Sequence, residues 1–288
     1  MTAYSLIKKI FLQEDVNFLL TNRIPRQLLT RFMGWFSRIE TPLIRDFSIA
    51  VWQRIADLRL DEAKKTQFTS LHDCFIRELK PGLRPIDRDP GLLVSPCDAI
   101  VGASGTLTGE TLIQAKGFPY TLTDLLGTAG WIETFRGGTY VTLRITSSMY
   151  HRFHSPYDCR VERVTYFSGD TWNVNPIALK RVEKLFCKNE RAAILVRLSG
   201  SGLPVVLVPV AAVLVASISL PFINTLLHLG YRGPNVIDCD STFRKGDEMG
   251  WFQHGSTIIV IAPRGLSLHP RLQENSTVRV GEPLMRLI

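Results

Sequence analysis

Three short stretches of this chain hold residue types that could act together as acid, base and nucleophile. The first is Ser95-Pro96-Cys97-Asp98, where Asp98 reads either as a turn former capping nearby backbone N–H groups or as a carboxylate that orients a histidine. The second runs from Tyr150 to Pro156 and places His151 and His154 three residues apart. Such a pair could share one face of a helical turn and bind a metal, supply two separate acid/base groups, or be surface histidines without a task. No H-E-x-x-H pattern accompanies it, and no later His or Cys set has ligand spacing. The third runs from Gly246 to Thr257 and contains Gly255-Ser256 at the entrance of an apolar run. It is not a G-x-S-x-G elbow, because the residue two after Ser256 is Ile258. A glycine carbonyl is sterically open, so the Ser256 hydroxyl could attack its own preceding peptide bond once a base removes its proton.

Two kinds of element must carry these residues. From Arg26 to Leu60 the pattern is helical, with Leu28, Leu29, Phe32, Trp35 and Phe36 on one face and Arg26, Arg31 and Arg38 interleaved. A basic, aromatic amphipathic helix suits a lipid interface, and equally a protein body against which its apolar face packs. Pro81 to Pro96 is rich in turn formers and reads as a connection. Beyond it come short β-rich runs at 140–145, 160–166, 192–198, 205–218 and 256–262. The fold class expected is therefore α+β, a helical N-terminal region (1–80) on a β-rich, sandwich- or barrel-like catalytic body (81–288). Leu198 to Tyr231 lacks charge and is long enough to span a bilayer, but its valines and its prolines at 204, 209 and 221 favour buried strands.

Composition narrows the class further. A chain of 288 residues with 45% hydrophobic and 21% charged residues is globular, which excludes wholesale disorder, collagen and coiled coil. The net charge of +8 invites an anionic partner. Five scattered cysteines without a C-x-x-C pair favour a reducing compartment. The N-terminus shows neither a secretory signal nor a transit peptide.

Taken together the motifs resemble the phosphatidylserine decarboxylase family, whose members are pyruvoyl-dependent membrane enzymes. The resemblance starts near Phe75 and covers most of the chain after it. Its motifs are FIRELKP (75–81) with Arg84-Pro85-Ile86, SPCDAIV (95–101), and Lys116-Gly117 with Tyr120 and Leu125-Leu126-Gly127. They continue as YHRFHSP (150–156), Val174-Asn175-Pro176, Asn189-Glu190-Arg191, and the 245–257 stretch with its G-S-T core.

The resemblance implies a proenzyme that cuts itself between Gly255 and Ser256, giving a β chain 1–255 and an α chain 256–288 of 33 residues. Asp98, His154 and Ser256 would act as a serine-protease-like triad, with Asp98 orienting His154 and His154 deprotonating Ser256. An ester would form, β-elimination would free the β chain, and Ser256 would become the covalent pyruvoyl cofactor and Schiff-base site. His151 is the proton donor expected for decarboxylation of phosphatidylserine to phosphatidylethanolamine. Also implied are an anionic membrane surface as partner, peripheral attachment on the cytoplasmic side of the cell membrane, and a homodimer. Neither a metal nor a nucleic acid is expected.

Several positions depart from the family pattern. Ala99, Cys159, Ala211 and Ala216 stand where glycine is frequent, and His254 where leucine is. Glycine replacement is tolerated where the backbone needs no positive φ. These departures keep open two other readings, a lipid-binding module that no longer processes itself and a serine hydrolase using Asp98, His154 and Ser256.

Overall fold

The computed structural model describes residues 13–22, 25–56, 58–115, 118–128, 130–214, 217–253 and 256–288. Lys116, Gly117, Ala216, His254 and Gly255 lie outside them. The backbone of Ser256 is described.

The Val/Ile-rich runs become the middle of an eight-stranded antiparallel sheet. Its order is β12 (Val236–Phe243), β7 (Cys159–Phe167), β8 (Arg191–Leu198), β9 (Pro204–Ala211), β14 (Ser256–Ala262), β5 (Thr139–Ile145), β2 (Ala99–Thr106) and β16 (Thr277–Val278). A strand covered on both faces needs apolar residues at successive positions, and β14 has them from Ile258 to Ala262. Ile258 and Val260 enter one core, Ile259 and Ile261 the other. Each such buried side chain contributes about 1.5–3 kcal/mol.

The first core lies between this sheet and a four-stranded one, in the order β11 (Thr225–His228), β10 (Ser217–Leu220), β13 (Glu248–Phe252) and β6 (Arg152–His154). Phe153, Ile218, Leu227, Met249 and Phe252 come from the smaller sheet. The second core lies under short helices, α5 (Leu122–Leu126), α6 (Pro176–Leu179) and α7 (Leu185–Lys188), and under the 130–135 turn. A three-stranded sheet, β1 (Leu92–Val94), β17 (Pro283–Leu287) and β15 (Leu266–Leu268), and the hairpin β3 (Thr111–Ala115) with β4 (Phe118–Thr121) complete the body. The sheets are open, so the β-rich region is a layered α+β sandwich and not a closed barrel.

The uncharged stretch from Leu198 to Tyr231, expected as a pair of buried strands, holds β9, β10 and β11. Among the described residues no helix is long and apolar enough to cross a membrane. The helical region comprises α1 (Glu14–Asn22), α2 (Arg26–Phe36), α3 (Pro42–Ile55) and α4 (Leu71–Phe75). Pro42 opens α3, where its missing N–H has no intrahelical partner to lose. Ser70 caps α4 by accepting from the Asp73 N–H at 3.1 Å.

Helix α2 is fastened at both ends of one face. The Thr30 hydroxyl accepts from the Leu214 N–H at 3.1 Å, and Arg38 beyond its C-terminus donates to Gln253 Oε1 at 3.2 Å. At its start Arg26 stacks 3.8 Å above Trp172 and pairs with Asp170 at 2.5 Å. Leu28, Phe32 and Trp35 stay outside, 67%, 49% and 64% exposed, so this amphipathic helix does not use its whole apolar surface for packing.

Candidate active site

The expected cleavage bond lies where the chain changes sheets. β13 ends at Phe252 in the four-stranded sheet, and β14 starts at Ser256 in the middle of the eight-stranded one. Position 256 is opposed by Ile145 on β5 and by Ala211 on β9. β6, the strand of His154, pairs with β13, with Glu248 opposite His154 and Trp251 opposite Arg152. The His151 carbonyl accepts from the Phe252 N–H at 3.0 Å. The histidine segment is therefore laced to the strand leading into the bond.

That segment is extended, not a helical turn, because β13 recruits its backbone into a sheet. His151 is fully buried, its ring centroid 3.9 Å from that of Phe75. The loop before it is held by Arg77, which donates to the carbonyls of Ser148 at 2.9 Å and Met149 at 3.3 Å. Arg152 donates to the Ile76 carbonyl at 2.9 Å and to Glu248 at 2.7 Å. The Phe-Ile-Arg motif at 75–77 is thus the clamp of the histidine segment.

His154 Nδ1 lies 2.9 Å from the Gly246 carbonyl, and its Nε2 lies 3.1 Å from the Tyr150 hydroxyl. A carbonyl only accepts, so Nδ1 carries the proton. Nε2 of the neutral ring then holds the lone pair and accepts from Tyr150. Burial lowers the His154 pKa, opposed by the Gly246 hydrogen bond and by the charges of Glu248 and Asp98. The imidazole is consequently neutral near pH 7, as a base must be. Gly246 has φ +90°, and a Cβ there would lie 2.6 Å from Ile86 Cγ1, so only glycine can present this carbonyl.

Asp98 is buried, and its carboxylate is occupied by other donors. Arg84 Nε lies 2.9 Å from both oxygens, Arg84 Nη2 lies 2.5 Å from Oδ2, and the Val280 N–H donates to Oδ1 at 2.9 Å. Arg84 is shared with Glu62 at 2.8 Å. Orientation of His154 falls to Gly246, while Asp98 acts on it through charge. Reading the sequence missed Gly246, Tyr150 and Arg84 as partners in the site, although all three sit inside the quoted motifs.

Of the glycine departures, Ala99, Cys159 and Ala211 lie in strands β2, β7 and β9, and none has positive φ. Beside Ala211 the buried Glu190 accepts from the Tyr166 hydroxyl, and burial pushes its pKa up to about 7.

The fragment 256–288 would supply β14 at the centre of the large sheet, β16 at its edge, and β15 and β17 in the three-stranded sheet. A new terminus at position 256 would leave every one of these pairings intact.

Residues 71–286 match the phosphatidylserine decarboxylase family. The chain is similar to the phosphatidylserine decarboxylase proenzyme of Coxiella burnetii, with 32% identity over 90% of this chain and 94% of the relative. The proenzyme of the same name from Haemophilus influenzae is 33% identical over 91% of this chain and 92% of the relative. That from Saccharophagus degradans is 30% identical over 96% and 99%.

Proposed function

The chain belongs to the phosphatidylserine decarboxylase family and is a decarboxylase proenzyme of phospholipid biosynthesis, and from that premise we propose that it matures by cutting its own Gly255–Ser256 bond and converts phosphatidylserine to phosphatidylethanolamine and CO2. The observation that supports this most is the pairing of the His154 strand with the strand that runs into that bond.

In the proposed maturation His154 Nε2 takes the Ser256 Oγ proton, directly or through Tyr150. The oxygen attacks the Gly255 carbonyl carbon, the peptide C–N bond breaks and an ester forms. Loss of the 256 Cα proton with expulsion of the Gly255 carboxylate separates the chains. Water then replaces the amine nitrogen, which leaves as ammonia. The pyruvoyl group so made would be held by Ser256's place on β14 between Ile145 and Ala211, and its chemistry is that of an electron sink for the amine-linked substrate. A small residue at 211 fits that crowded row. His151, buried against Phe75, would return a proton to the carbon that loses CO2.

The substrate's tails have a place beside this centre. An apolar groove of about 460 Å³ runs between α2, α3 and α4, lined by Met33, Phe36, Val51, Trp52, Phe75 and Leu214. Phe75 joins it to His151. The exposed Leu28, Phe32 and Trp35 on α2 would dip into an anionic membrane surface from the cytoplasmic side, with the exposed Arg31 of that helix near the headgroups.

The test is the intact mass of freshly expressed protein. Two fragments of 255 and 33 residues are expected, co-purifying until denatured, the smaller one blocked and carbonyl-reactive. Ser256→Ala should give one uncut chain. A single uncut wild-type chain without decarboxylase activity would overturn the proposal. Of the alternatives it would leave, a serine hydrolase would be inactivated by serine-directed reagents and a lipid-binding module would not.

A further inference from the structure

Arg144 sits on β5, opposite Thr257 of β14 and one residue from the Ile145 that opposes position 256. Among the described residues its guanidinium has no hydrogen-bond or ion-pair partner. Burial lowers its pKa, opposed only by the more distant charge of Glu274. Other arginines of the body have partners: Arg77 and Arg191 donate to backbone carbonyls, and Arg84 to two carboxylates. A guanidinium stays charged in a protein, and a partly desolvated one without a partner is costly. Such a group attracts an anion.

The surroundings define the anion. Arg144, Thr146, Ser147, Asn173 and Asn175 line a cavity of about 360 Å³, whose wall is otherwise apolar and formed by Ile145, Val174, Pro176 and residues 212–214. Ser147 and Leu214 also line the apolar groove of about 460 Å³, so the cavity and the groove share a border. One guanidinium and a few hydroxyl and amide groups set in an apolar wall, beside an apolar channel, match a phospholipid, with the headgroup phosphate at the cation and the tails in the channel.

We propose that Arg144 binds the phosphodiester of the phospholipid headgroup in this cavity and so sets substrate affinity. The proposal rests on the decarboxylase reading for the identity of the lipid. Phosphate suits the guanidinium fork, which can make two parallel N–H···O bonds to it. The substrate's carboxylate does not suit it. A strong ion pair there would stabilise the charge that must leave as CO2, and ground-state binding of that kind raises the barrier.

The experiment compares wild type, Arg144→Gln and Arg144→Lys, with appearance of the 33-residue fragment as the control for folding. Decarboxylation is measured on phosphatidylserine in mixed micelles, with glycerophosphoserine and inorganic phosphate as separate competitors. Losing a charge-assisted pair should raise KM, and the glycerophosphoserine inhibition constant with it, roughly 10- to 100-fold, the effect falling on KM and not on kcat. The lysine variant keeps the charge without the fork and should fall between; if the glutamine variant fails to accumulate, it carries the test. Calorimetric binding of glycerophosphoserine to the uncut Ser256→Ala precursor, with and without Arg144→Gln, reads the same site without activity. An unchanged KM and inhibition constant would overturn the proposal. So would inhibition by inorganic phosphate that Arg144→Gln abolishes while the lipid's KM stays put, since that marks a free-anion site. If wild type is neither cut nor active, the decarboxylase reading falls, and loss of glycerophosphoserine binding in the Arg144→Gln precursor still decides the role of Arg144.

Discussion

Asp98→Asn keeps the shape of the side chain and removes its charge, and the structure separates two consequences of different size. One falls on stability. The Arg84 side chain is 11% exposed, and it would face an amide in place of a carboxylate while keeping Glu62. Breaking a buried pair from one side costs about 3–5 kcal/mol, and Glu62 places this case near about 3 kcal/mol. The other consequence falls on self-cleavage. In a triad whose aspartate holds the imidazole, the amide imposes the wrong tautomer and costs about 10⁴ in rate. Here the tautomer is set by Gly246, and Asp98 contributes only charge to His154. Removing that charge lowers the basicity of His154, and a loss of roughly tenfold in cleavage rate, far below 10⁴, is the expectation. Cleavage would be followed on gels from the moment of refolding, at a temperature where urea unfolding shows the variant folded. Asp98→Asn with Arg84→Gln removes the stranded cation, so it should regain most of the stability and stay about tenfold slow. A folded variant slowed by about 10⁴ would show that Asp98 orients His154 after all. Maturation at the wild-type rate would remove Asp98 from the triad.

Two further outcomes are expected. Phe32→Ser with Trp35→Ser should weaken binding to phosphatidylglycerol-containing vesicles roughly 10- to 100-fold in a sedimentation assay, with normal chain cleavage; unchanged binding would move the membrane contact elsewhere. Glu190 has its pKa raised from 4.5 to about 7 by burial, opposed by the Tyr166 hydrogen bond. The folded state therefore holds its proton more tightly than the unfolded one. Its contribution to stability is fully present below about pH 4.5 and is lost as pH rises through about 7. Glu190→Gln should match wild type near pH 4.5 and exceed it by about 3 kcal/mol at pH 8 in urea melts; parallel pH profiles would refute a buried neutral carboxyl.

The strands were legible because their signal is local. β14 is apolar and mostly β-branched from Ile258 to Ala262, and that pattern leaves little choice of structure. Helical character between 26 and 60 was legible from periodicity for the same reason, but its division into α2 and α3 was not. The two histidines were not. Spacing of three suits a helical turn, but the state of residues 152–154 is set by β13, nearly a hundred positions later in the chain, which lends it a hydrogen-bonding edge.

The residues with reactive side chains, the open Gly-Ser bond and the family were all determined by the sequence alone, since each is a matter of residue identity and order. Which group holds which was decided by tertiary structure. Gly246 reaches His154 across 92 residues, and Asp98 meets both Arg84 and a backbone N–H 182 residues away. Among the described residues Arg144, beside position 256, has no hydrogen-bond or ion-pair partner. Hydrogen-bond partners at such separations follow from sheet register and core packing, which satisfy the whole chain at once. No window of sequence contains them.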